Sequence, residues 1–274
     1  MNEYEDLLKE SIEGNKNPLE VVLEFYTNKY KVPKELKYEI AIVDDIEKST
    51  EEYFKKIEKE YDYISDIDYN GVTLVPHTTD EPIMILLSKD RAISAKDNNC
   101  EIICTLFHEL THVVDFYNYY SVFCDGNYDS GIGRDSQYGF HNWSEFHAKK
   151  ISYLEYGKII YKENYNSSEV LDIIVNKTLP IKNDELDNYL TNDYDLEEII
   201  YNLMFYLGRY SVWEDWFPDE FKNGNHFSKE LKKYQPLVDT LFDLLKNTNN
   251  TKNEYENIKK HINFFKGMYV NLNN

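Results

Sequence analysis

Positive charge is scarce in this chain. Its 274 residues carry 30 Lys and Arg against 50 Asp and Glu, a formal net charge of −20. A surface of that sign repels phosphate backbones and anionic headgroups, so neither nucleic acid nor a membrane is an expected partner. Basic partners would be drawn in, although solubility alone also accounts for such a charge. Cysteine is rarer still. Cys100, Cys104 and Cys124 are odd in number, which argues against a disulfide framework and fits a reducing compartment. Cys100 and Cys104 stand four apart without further ligands nearby, and read as small buried residues and not as a second metal site. No apolar run approaches the length needed to cross a bilayer. The stretch Met1–Glu10 is acidic and amphipathic, the opposite of a secretory signal, so the expected address is cytoplasmic. What the chain does have is apolar residues at 42%, enough for a globular fold with a sizeable core.

Hydrophobic spacing predicts helices over 1–13 and 18–31, a strand over 37–44, and a helix over 48–61 capped by Ser49 or Thr50. Two apolar runs follow, 71–76 and 82–88, and the polar segment 77–81 between them predicts a hairpin. Ile83–Leu87 is the expected edge strand, able to pair with an extended peptide through its main chain. A Gly- and Asp-rich loop is expected over 123–138. Helical spacing then returns at 144–161, 186–190, 196–213, 228–246 and 254–265, with Pro236 breaking or kinking the fourth of these. The expected fold is α+β, one domain in two lobes. The first, about 1–120, holds a small mixed or antiparallel sheet and one long helix. The second, about 121–274, is mainly helical.

That long helix carries the most informative residues, His108-Glu109-Leu110-Thr111-His112. Residues four apart lie one above the other on a helix, so His108 and His112 can turn two imidazoles toward one ion. Glu109 sits beside them, where its carboxylate can take a proton from a metal-activated water. The surroundings suit a buried helix. Asn98 and Glu101 form a capping-box pattern, and Ile102, Ile103, Leu106, Phe107, Leu110, Val113 and Val114 fall at helical spacing. Two incidental histidines on a surface helix would not have such neighbours.

A catalytic zinc needs a third protein ligand, with the fourth position left open. A histidine six residues after His112 would mark the metzincin pattern, but position 118 is Asn and position 115 is Asp. The candidate is Glu145, in Asn142-Trp143-Ser144-Glu145-Phe146-His147-Ala148, where the small Ala148 would permit close helix packing. A competing explanation is that Asn142 and Glu145 are an N-cap and its capping-box partner. His141 and His147 are weaker candidates, and could instead donate to an oxyanion. Asp115 could orient a ligand histidine, or be a solvated surface acid. Asp125, Asp129 and Asp135 are reserve carboxylates in the loop. Further oxyanion donors are Tyr206, Arg209, Tyr210 and His226.

The HExxH pentapeptide followed by Ser144-Glu145-Phe146-His147-Ala148 resembles the gluzincin peptidases. It is most similar in economy to the ImmA/IrrE family, in which a strand pair, an HExxH helix and a later Glu helix form a compact protease. The resemblance covers about residues 70–160. It implies a zincin-like fold, one Zn2+ held by His108, His112 and Glu145, Glu109 as general base, and a peptide or protein substrate. The chain departs from the thermolysin-like pattern, having Ser144 before Glu145 and Lys149 four residues after it. A catalytically silent zincin-fold binding or regulatory protein is the alternative that keeps the same residues.

Overall fold

The computed structural model describes residues 18–60, 70–90, 101–130 and 134–273, with the side chains of a few terminal residues of these segments left aside. The expected helix over 1–13 and the Asn98 cap lie outside the described residues. The chain is α+β and divides into two compact units, Met1–Ile132 and Gly133–Asn274.

In the first unit, α1 spans Pro18–Lys29, β1 Tyr38–Val43, α2 Ile46–Lys56, β2 Gly71–Leu74, β3 Ile83–Ser88 and α3 Glu101–Phe123. The cap of α2 is Asp45, which accepts from Lys48 N at 2.9 Å, and not Ser49 or Thr50. A carboxylate one residue before the helix reaches its free amides with less strain than a hydroxyl inside it. The sheet has the order β1-β3-β2, with β1 parallel and β2 antiparallel to β3. The hairpin is therefore present, but β3 is the central strand and not the edge. Its unbroken apolar run has a physical reason, because both faces are covered. Ile83, Ile85 and Leu87 are fully buried, and Leu86 on the opposite face packs with Leu74 and Phe54. The edge beside α3 is β2.

Helix α3 is held on a second side by α1. Phe25 meets the buried Phe107 edge-on at 5.9 Å, and the Tyr26 hydroxyl donates to Thr111 Oγ1 at 3.1 Å. Burying a side chain such as Phe107 contributes roughly 1.5–3 kcal/mol, so this contact does much to fix the helix.

The turn after α3 is short and folds back on the sheet. Gly126 adopts a positive φ of 74°, and Thr79 comes so close that a Cβ would meet its hydroxyl at 2.5 Å. Thr79 N donates to Gly126 O and Tyr128 N donates to His77 O, both at 2.8 Å. These bonds carry the first unit on to Ile132 and past the boundary expected near 120.

Three side chains lock this turn. Asp129 pairs with Lys59 at 2.7 Å and with His77 Nδ1, while His77 Nε2 faces the Ile57 carbonyl at 2.7 Å. Both ring nitrogens face acceptors, so the ring makes both bonds only as an imidazolium. The hydrogen bond to Asp129, then that to Ile57, raises the His77 pKa. Desolvation opposes ionisation of Asp129, but Lys59 and His77 outweigh it and hold the carboxyl below its usual range. The His77 contribution is complete below its unfolded pKa, about 6.5, and is lost as pH rises through the raised folded value. The Asp129 contribution is present above about 3.9 and is lost as pH falls through the depressed value. Denaturant midpoints should therefore fall between about pH 6 and pH 9 in the native protein, with a smaller fall in His77→Ala. Parallel pH profiles for the two proteins would show that the imidazolium adds nothing.

In the second unit, α4 spans Arg134–Tyr161 without a break. Helix α5, Ser168–Ile173, runs through a π-turn, Ile174–Thr178, into α6, Leu179–Thr191. The wider turn lets Leu179 N reach Ile174 O just before Pro180, which has no amide hydrogen to give. Then come α7 Leu196–Trp216, α8 Pro218–Phe221, α9 Gln235–Lys246 and α10 Lys252–Asn273. Pro236 does break the predicted 228–246 helix. A 3-10 turn over Leu231–Tyr234 precedes it, and Pro236 sits in the first turn of α9. Helix α4 packs on α7 and α10. Ser144, Ala148 and Ser152, each fully buried, form a small-residue stripe along it.

Candidate functional site

His108, Glu109 and His112 lie in the middle of α3, between a sheet edge and α1. The helix forms there because its other faces, through Leu106, Phe107, Leu110 and Val113, are fully or almost fully buried. His112 is 5% exposed and stacks on Phe116, with ring centroids 5.4 Å apart. The rings of His108 and His112 stand at 89° to each other, with their Nε2 atoms 3.0 Å apart. Two nitrogens bound tetrahedrally to one zinc would be about 3.3 Å apart. A modest opening turns the pair into a chelate, and in its absence one imidazole donates a hydrogen bond to the other.

Glu109 is 5% exposed. Its Oε2 accepts from the Thr73 hydroxyl at 2.7 Å, and its carbonyl lies 3.2 Å from the same oxygen. Strand β2 thereby fixes the carboxylate of the residue that follows His108 on the helix. Gly71 makes the approach possible. A Cβ there would lie 2.7 Å from Thr105 Cγ2 and 3.2 Å from Glu109 Cγ. Neither Thr73 nor Gly71 stands out from the sequence on its own. The available signal was the polar Thr73 within an apolar run, two residues from a glycine and so on the same face of the strand.

Asp115, three residues beyond His112, is 7% exposed, so it is a buried acid and not a solvated one. Cys104 is a half-buried free thiol on this helix and Cys124 a buried one. Cys100 lies outside the described residues, as does the side chain of Asp135. Asp129 is taken up by Lys59 and His77, and Asp125 is an exposed turn residue with φ 50°.

In the second unit, Glu145 is half-buried on α4 between the buried Ser144 and Phe146. The capping-box explanation fails here. Asn142 and Glu145 both lie well inside the helix, and Asn142 Nδ2 donates to Tyr138 O at 3.0 Å. The predicted loop over 123–138 ends early because α4 already begins at Arg134. Ser136 and Phe140, which contribute to its first turns, are fully buried. His147, half-buried, stacks on Trp143 at 4.8 Å, and the exposed His141 meets Phe140 edge-on at 5.5 Å.

The other proposed donors belong to the helical interior. The Tyr206 hydroxyl donates to Asn183 Oδ1 at 2.8 Å, and the Tyr210 hydroxyl donates to Phe221 O at 2.9 Å. Burial pushes the pKa of both upward, so they stay neutral and engaged. His226 Nε2 pairs with Glu220 at 2.6 Å. Arg209 lines a cleft between α6 and α7.

Comparison with protein-family profiles, with curated proteins and with solved structures finds no match. Among the described residues, no helix is long and apolar enough to cross a membrane.

Proposed function

We propose that this chain is a zinc-dependent peptidase of the zincin type. The observation that carries this reading is the pair of converging Nε2 atoms on a helix whose Glu109, next after His108, is buried and anchored by a strand. A structural helix has no use for all three at once. The proposed ligands are His108, His112 and Glu145, a group that could hold a metal ion. Two imidazole nitrogens and one carboxylate oxygen form the donor set of hydrolytic zinc sites, with one position left open.

Bound zinc would supply Lewis acidity, making water a nucleophile at neutral pH and polarising an amide carbonyl. Glu109, held by Thr73, would take the proton of the attacking water and pass it to the departing amine nitrogen. The role of peptide-pairing edge passes from β3 to β2. Gly71–Leu74 pairs with β3 on one side only among the described residues, and Thr73 points from it to Glu109. An extended substrate adding to β2 would lie alongside the general base.

The test is hydrolysis of an unfolded polypeptide such as reduced casein. Cleavage should stop when the protein is stripped with a chelator and resume on addition of zinc. Cleavage that survives stripping, or none by the zinc-loaded protein, would overturn the proposal.

A further inference from the structure

Arg209 finds no role in the site above. It is one of only three arginines, with Arg91 and Arg134, in a chain of net charge −20. In the helical unit it lines a cleft of about 150 Å3 between α6 and α7. Each helix turns one face to this cleft. Lys182, Glu185, Leu186 and Tyr189 of α6 fall at i, i+3, i+4 and i+7. Residues 202, 205, 206 and 209 of α7 repeat that spacing.

The charges in the cleft do not cancel. Lys182 is engaged by both oxygens of Glu185, at 2.6 and 2.7 Å. No ion pair or hydrogen bond engages the half-buried Arg209 guanidinium among the described residues. With 50 carboxylates available, an arginine left without one in a cleft is a donor fork facing an open space. The rest of the lining is Leu186, three aromatic rings and the amide of Asn202, whose Nδ2 already donates to Glu198 O at 2.9 Å. Leu186 is 2% exposed, and the rings of Tyr189, Phe205 and Tyr206 stand around it. Phe205 is further held by Lys149, whose ammonium lies 4.7 Å from the ring centre.

We infer that this cleft binds a small organic carboxylate. Arg209 takes the carboxylate through its paired N–H groups, and the rings receive an apolar body. The size suits a small ligand, since about 150 Å3 is well above the roughly 10–15 Å3 that one water needs on the same measure. A single unmatched cation selects a monoanion. The strongly negative chain disfavours phosphates and other polyanions.

The experiment is isothermal titration of the full chain with benzoate, benzamide and inorganic phosphate. Benzoate should bind one per chain with Kd of about 1 mM, a reasonable affinity for so small a ligand. Benzamide, which keeps the ring and loses the charge, and phosphate, which keeps the charge and loses the ring, should each bind about tenfold more weakly or worse. Arg209→Gln should weaken benzoate by a similar factor. Glu185→Gln should tighten it about fivefold, because Lys182 is released toward the cleft, and a misfolded protein cannot produce that gain. Absence of saturable benzoate binding would overturn the inference. So would benzamide or phosphate equal to benzoate, an Arg209→Gln protein with unchanged affinity, or no tightening in Glu185→Gln.

Discussion

Glu109→Gln should lower peptide hydrolysis about a thousandfold while leaving zinc affinity unchanged, within the range that a positioned general base contributes. Glutamine keeps the size of the side chain and can still accept from Thr73, but it cannot carry the proton. The structure ties the residue down well enough for this substitution to be read cleanly. Glu109 is 5% exposed, and its Oε2 accepts from the Thr73 hydroxyl at 2.7 Å. The comparison to make is kcat on one peptide with both proteins loaded to equal zinc. Thr73→Val is an internal control, since it leaves the carboxylate in place but loosens it. A loss of about tenfold, with zinc retained, is expected there. An undiminished rate for Glu109→Gln would leave the mechanism without a base.

The second large effect concerns the helix that presents Glu145. Gly139→Ala should destabilise the helical unit by about 3 kcal/mol, at the upper end of the usual cost of overpacking. Gly139 lies on α4 against α10, and a Cβ there would fall 1.8 Å from Tyr255 O and 2.7 Å from Tyr255 C. These are backbone atoms of a helix and cannot step aside as a side-chain tip would. The neighbouring rings lock the contact from both sides, with Phe140 and Trp143 lying 5.4 and 5.7 Å from Tyr255. The two helices must therefore separate. The thermal midpoint of this unit should fall by roughly 6–12 °C. A midpoint within a degree of the native protein would mean that α4 and α10 are not packed this closely.

Much of this arrangement could be read from residue order, and the failures have definite causes. The α3 helix was legible because its apolar spacing and its histidine pair point the same way. The hairpin was legible from its polar turn. The placement of β3 at an edge failed because an apolar run marks a strand covered on both faces, and the shorter run with a threonine in it was the edge. The cap at Asn142 failed through a similar ambiguity. Asn followed three residues later by Glu occurs inside helices as well as at their starts, and only the buried Ser136 and Phe140 reveal the earlier turns of α4. Hydrophobic spacing predicts no helix over 168–185, where α5, the π-turn and the first half of α6 lie, because the π-turn shifts the register of the apolar positions. Tyr206 and Tyr210 illustrate a different limit. A tyrosine of the core and a tyrosine of a site look alike in sequence, and only their bonds to Asn183 and Phe221 separate them.

The contacts around Glu109 were beyond sequence for a further reason. Thr73 and Glu109 are 36 residues apart, and their hydrogen bond depends on Gly71 letting β2 settle against α3. No local pattern encodes such a pairing. The same holds for His77 and Asp129, 52 residues apart, which tie the turn after α3 to the sheet.

Zinc content measured on the native chain and on Glu145→Ala, after dialysis against metal-free buffer, bears most directly on all of this. The native protein should retain about one zinc per chain, and Glu145→Ala should retain almost none, its affinity reduced by about a hundredfold or more. A native protein that binds no stoichiometric zinc, or a Glu145→Ala protein that holds it as tightly as the native chain, would contradict the proposed centre.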